Sequence, residues 1–80
     1  MSKPTRIIWR VQFVAGRWRV LRGKRTDAAH ATKASAVHYA RAEARKHHAG
    51  GGLAQVVVHG KDGAIQTEHT YGADPRRSKG

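Results

Sequence analysis

The most regular stretch of the chain opens at Arg6, where Ile7, Trp9, Val11 and Phe13 alternate with Ile8, Arg10, Gln12 and Val14. A period of two in β-branched and aromatic residues predicts a strand with one buried face. Ala15-Gly16 supplies a tight turn, and Trp18 and Val20 then alternate with Arg17, Arg19 and Leu21 in a second strand. With Ala15 and Gly16 as a two-residue loop, Phe13 faces Trp18 and Val11 faces Val20, so both apolar sets fall on one side of the hairpin. The other side pairs Gln12 with Arg19 and Arg10 with Leu21, a ribbon that is basic with a few apolar members.

Gly23 to Ala31 has no clear period and reads as a basic connecting loop carrying Lys24, Arg25 and Asp27. Thr32 is placed to cap a helix, because its hydroxyl can accept from the free N–H groups of a first turn. The helix is predicted from about Lys33 to His48, with Ala36, Val37, Ala40 and Ala44 as its buried stripe. These small side chains allow it to lie close to a sheet bearing Trp9, Phe13 and Trp18. Lys33, Arg41, Arg45 and Lys46 fall elsewhere around the helix, and the last three are expected to complement the negative end of its dipole. Gly50-Gly51-Gly52 ends the helix, since glycine accepts the left-handed conformation common past a C-terminus.

Leu53 to His59, with Val56-Val57-Val58, predicts a third strand, and Gly60-Lys61-Asp62-Gly63 a turn into a fourth from about Ala64 to Thr70. The expected fold is therefore α+β, in the order β-β-α-β-β: two hairpins joined through one helix. They would form a four-stranded, mainly antiparallel sheet with that helix packed on one face. Strand order stays open. Residues 1–5 read as a flexible leader, 6–72 as a single domain, and 73–80 as a flexible basic tail.

Several of these segments together are distinctive: Thr32-Lys33-Ala34-Ser35-Ala36-Val37, Val57-Val58-His59-Gly60-Lys61-Asp62-Gly63-Ala64-Ile65-Gln66 and Tyr71-Gly72-Ala73-Asp74-Pro75. The chain resembles the small bacterial domain-of-unknown-function family numbered 2188. That family joins a W-x-V strand, matched by Trp18-Arg19-Val20, to a threonine-capped helix, an H-G-x-D-G turn and a terminal Y-G-x-D-P. The resemblance runs from about Trp9 to Pro75 and supports the fold while carrying no activity. Arg76-Arg77 stands where relatives have a proline-rich ending, a departure that makes this tail more basic.

Charge changes the picture most. Sixteen Lys and Arg against five Asp and Glu leave a formal net charge of +11, beyond the magnitude of roughly 2 to 8 that keeps a small domain soluble. Such an excess attracts polyanions. Cysteine is absent, which removes disulfides, thiolate metal sites and thiol catalysis. A chain of this size without disulfides is a candidate for self-association. No apolar signal region or long apolar run is present, so a cytoplasmic protein without membrane attachment is expected.

Catalysis finds no support. Asp27, Glu43, Asp62, Glu68 and Asp74 lie in separate elements, and Ser2, Ser35 and Ser78 lack the context of an activated nucleophile. His47 and His48 point about 100° apart on a helix and chelate poorly together; His59 and His69 share the second hairpin without cysteines or nearby carboxylates. His59, beside a glycine turn, is better suited to fixing that turn through a ring hydrogen bond. No catalytic residue, metal site, cofactor or small-molecule substrate is therefore expected.

Nucleic-acid binding requires less: Lys and Arg to displace counterions from phosphates. Arg10, Arg17 and Arg19 on the hairpin, Lys24 and Arg25 in the following loop, and Arg76, Arg77 and Lys79 in the tail form the expected contact stripe for DNA or RNA, with low sequence specificity. Trp9 and Trp18 have the chemistry to stack on bases, but their parity with Val11 and Val20 assigns them to the core. The alternative is a protein-interaction module, a homodimer or a binder of an acidic protein, using the uncovered sheet face where Ile8, Leu21 and Val14 sit beside arginines.

Overall fold

The structure is a computed structural model that describes residues 6–72. The predicted first hairpin forms as β1 (Arg6–Val14) and β2 (Arg17–Arg22). Its register places Phe13 opposite Trp18, Val11 opposite Val20, Gln12 opposite Arg19 and Arg10 opposite Leu21. Ala15 and Gly16 both take positive φ, 52° and 81°, the backbone of a two-residue turn whose twist matches that of the strands it joins.

The segment expected to be a loop is instead β3 (Arg25–His30), joined to β2 by the two-residue turn Gly23-Lys24. The sheet thus has five strands, not four. Alternation failed to announce β3 because it is an edge strand with small, polar side chains, and because its pairing with β2 shifts register between Val20 and Leu21. That bulge places one extra residue, Asp27, between the pairs Val20–Ala28 and Leu21–Thr26, breaking the period of two.

Thr32 caps α1 (Lys33–Ala49), its hydroxyl accepting from Ser35 N–H at 3.2 Å. The helix ends at Gly50, which has a negative φ of −85°; the left-handed position falls one residue later, at Gly51. β4 (Leu53–His59) and β5 (Ile65–Tyr71) complete the sheet in the order β3-β2-β1-β4-β5. β4 runs parallel to β1, and the other three pairings are antiparallel. The helix is the crossover that makes this possible, carrying the chain from the β3 edge across one face and back beside β1.

The core lies between that face and the helix. Trp9, Val11, Val20 and Val56 are its largest fully buried side chains, against Ala36, Ala40 and Ala44. Val37, grouped with these alanines in the expected stripe, is only half-buried. The alanines remove little apolar area themselves. Their lack of bulk brings the helix axis close enough for the sheet's tryptophans and valines to be enclosed, each such side chain contributing on the order of 1.5–3 kcal/mol. Trp18 is also buried, packing on Phe13 with ring centroids 4.9 Å apart, so neither tryptophan is a surface platform for bases.

Candidate nucleic-acid interface

Strand alternation decides which cations share a surface. Opposite the core-facing Ile7, Trp9, Val11 and Phe13, β1 presents Arg6, Ile8, Arg10, Gln12 and Val14 on a face that no described element covers. On β2 the same face carries Arg17, across from Val14, then Arg19 and Leu21. At about 3.4 Å per residue, Arg17, Arg19, Arg10 and Arg6 extend over roughly 27 Å along the β1–β2 ribbon. Three of the residues singled out from sequence, Arg10, Arg17 and Arg19, are thereby brought together.

None of these three has an acidic partner among the described residues, where the one ion pair is Lys46 to Glu43 at 3.2 Å. The acid on the open face, Glu68, accepts from Gln55 Nε2 at 3.2 Å. Val57, 4 % exposed, lies between Arg10 on β1 and Glu68 on β5. The aliphatic stem of the arginine is the kind of cover that leaves its charged head in water. Arg19 Nε is buried with no acceptor, so no hydrogen bond to that nitrogen ties the side chain down.

Lys24 and Arg25 occupy the tip of the β2–β3 hairpin, at the end of the ribbon where β1 begins. Arg25 stands directly across from Arg22, which in turn stands across from Trp9, so parity turns both toward the helix side of the sheet and away from Arg10, Arg17 and Arg19. Like charges directly opposite on paired strands oppose folding, so stability does not explain this tip. Arg76, Arg77 and Lys79 lie outside the described residues. Arg6 was also missed, although its parity with Arg10 was the available signal.

The helix carries a second group that sequence reading assigned to the dipole. Its last turn holds Lys46, His47 and His48, whereas Arg41 and Arg45 lie further back, and the dipole's influence is confined to about one turn. Together with Lys33, Arg41 and Arg45 line a groove of about 610 Å³ whose other lining residues are Ala34, Val37 and His38. Arg41 Nε donates to Tyr71 Oη at 2.8 Å, and Lys33 Nζ donates to Gln66 Oε1. Lys33 Nζ also lies 5.7 Å from the Trp18 ring centroid.

The glycine-rich turn between β4 and β5 behaves as its residues imply. His59 Nδ1 and Gly63 O are 2.9 Å apart, and Asp62 Oδ1 accepts from Ala64 N–H at 3.1 Å. These residues are occupied in shaping the turn. Among the described residues, no group of three or more His, Asp or Glu side chains is arranged to hold a metal ion. No described helix is long and apolar enough to cross a membrane.

No curated protein and no solved structure matches the chain. A family model matches residues 9–71, the span from the first buried tryptophan to the end of β5. On that match the chain belongs to DUF2188, a family described as an uncharacterized protein conserved in bacteria.

Proposed function

We propose that the domain binds nucleic acid with low sequence specificity, laying phosphates along the open sheet face through Arg10, Arg17 and Arg19, with Lys24 and Arg25 extending the contact around the hairpin tip, Arg25 from the helix side of the sheet. The tail residues Arg76, Arg77 and Lys79 would add to it, and no catalytic step is involved. The observation that carries this reading is the alignment of Arg10, Arg17 and Arg19 on an uncovered face with no acidic partner among the described residues. Phosphates would take the place of the absent carboxylates and release the counterions condensed around them.

Low specificity follows from the kind of contact. The open face offers guanidinium groups beside Ile8, Leu21 and Gln12, and no helix free to enter a groove, since α1 is packed on the opposite face. Phosphate contacts of this kind hold a polyanion without reading its bases.

A second reading uses the same face as a protein interface, supported by Ile8 and Leu21 beside the arginines and by Val14, 41 % exposed. Its partner would be a second copy or an acidic protein. Salt-dependent binding to short DNA and RNA fragments separates the two. Binding that weakens steeply with salt, with a log–log slope reduced by about 2.7 in the Arg10, Arg17 and Arg19 to Ala triple variant, supports nucleic-acid binding. Absence of binding at low salt, with concentration-dependent dimerisation in sedimentation, would favour the protein interface.

A further inference from the structure

We propose that the open groove along the flank of α1, lined by helix residues, is a second phosphate-backbone site, and that one copy of the domain can therefore bridge two nucleic-acid segments on opposite faces of its sheet. This rests on the nucleic-acid reading above but uses different residues and makes a different prediction.

Lys33, Val37, Arg41 and Arg45 recur at intervals of four, forming one stripe along the side of the helix that faces β5. At 1.5 Å per residue, Lys33 and Arg41 are about 12 Å apart along the axis and Arg41 and Arg45 about 6 Å. Three positive charges spread over roughly 18 Å are too far apart to converge on one phosphate; they suit an extended chain of anions. No acid lines the groove. Glu43, the helix's acid, sits two residues from Arg41, about 200° around the helix, and is paired with Lys46.

The groove also holds two of its cations in place without neutralising them. Tyr71 and Gln66, both uncharged and both on β5, accept from Arg41 and Lys33. Gln66 reaches this side because it is the extra residue of a bulge: Val58 pairs with Thr67 and His59 with Ile65, leaving Gln66 between them. Its amide lies so close to Gly60 that a Cβ there would come within 2.8 Å of Nε2, so the turn glycine makes room for it. With Nε engaged by Tyr71, the Arg41 guanidinium retains four N–H donors for an anion.

Arg10, Arg17 and Arg19 occupy the other side of the sheet. A helix about 10 Å across lies on the groove side, so polyanions bound on the two faces are separated by more than the Debye length of about 8 Å at physiological ionic strength. Mutual repulsion between them is then largely screened, and both sites can fill.

The test uses the full chain and two copies of one mixed-sequence DNA duplex, one immobilised and one fluorescent, with recovery of the fluorescent duplex reporting bridging. Single-duplex binding is measured separately by anisotropy, and circular dichroism with sedimentation checks fold and oligomeric state. Lys33→Gln, Arg41→Gln and Arg45→Gln together should abolish recovery while the open face still binds a single duplex. Arg10→Ala, Arg17→Ala and Arg19→Ala together should also abolish recovery. Bridging by the helix variant at the wild-type level would overturn the proposal, as would wild-type protein that binds one duplex but never recovers the second. Loss of bridging that tracks loss of a dimer would overturn it too, since two copies would then supply the two sites. Failure of wild-type protein to bind even a single duplex would remove the underlying nucleic-acid reading and this proposal with it.

Discussion

Ala15 provides a direct test of the strain carried by the first hairpin. It is the described non-glycine residue with positive φ, at 52°, followed by Gly16 at 81°. An L-residue in the left-handed region pays roughly 1–2 kcal/mol for the approach of its Cβ to the backbone. Asparagine offsets part of that cost by local hydrogen bonding and is favoured at the first position of this turn. Ala15→Asn should therefore stabilise the domain by about 0.5–1 kcal/mol. For a domain of this size, 1 kcal/mol corresponds to about 4–8 °C in Tm. Ala15→Gly removes the same clash but gives the unfolded chain more freedom, at a cost of about 0.4–1 kcal/mol, so its net gain should be smaller. Ala15→Val should destabilise, because a β-branched side chain tolerates positive φ least. Thermal melts and urea midpoints at constant m-value measure all three. If Asn and Gly both lower Tm, or if Val leaves it unchanged, residue 15 is not left-handed and the turn assignment is wrong.

Two other substitutions examine the helix side of the sheet. Ala40→Leu places extra carbons at a position with no exposure, between the helix and the tryptophan-bearing face, and should cost about 1–3 kcal/mol in chemical denaturation; a neutral result would mean the interface has room. Tyr39 donates to Asp27 Oδ2 at 3.0 Å, and burial first, then that hydrogen bond, pushes its phenol above the ordinary value of 10.0. A phenol raised in the folded state contributes its stability below the unfolded pKa and loses it as pH rises from there through the folded value. Ultraviolet titration, with Tyr39→Phe to identify the signal, should show ionisation above 10.0 that moves downward in Asp27→Asn; a transition at or below 10.0 would refute this.

Local pattern was sufficient where burial enforced it. The alternation of Trp9, Val11, Trp18 and Val20 dictated the first hairpin and its register, because a one-residue slip would turn every apolar side chain to solvent. Thr32 and the alanines of α1 likewise announced a capped helix with one narrow buried side. β3 was not legible: an edge strand has a neighbour on one side only, needs few apolar residues, and has its period interrupted by the bulge at Asp27. Arg10, Arg17 and Arg19 could be placed on one face from parity alone.

Tertiary structure decided what lies beside what. The parallel pairing of β1 with β4 depends on the path of the helix across the sheet, a contact between segments more than 40 residues apart that no local period encodes. The same path sets Lys33 and Arg41 against Gln66 and Tyr71, so that two cations of an ordinary helical charge stripe are held by uncharged partners on β5. Sequence by itself determined the charge and the faces of the individual elements. Only the packed chain determined which faces remained open, because exposure depends on neighbours brought together by folding.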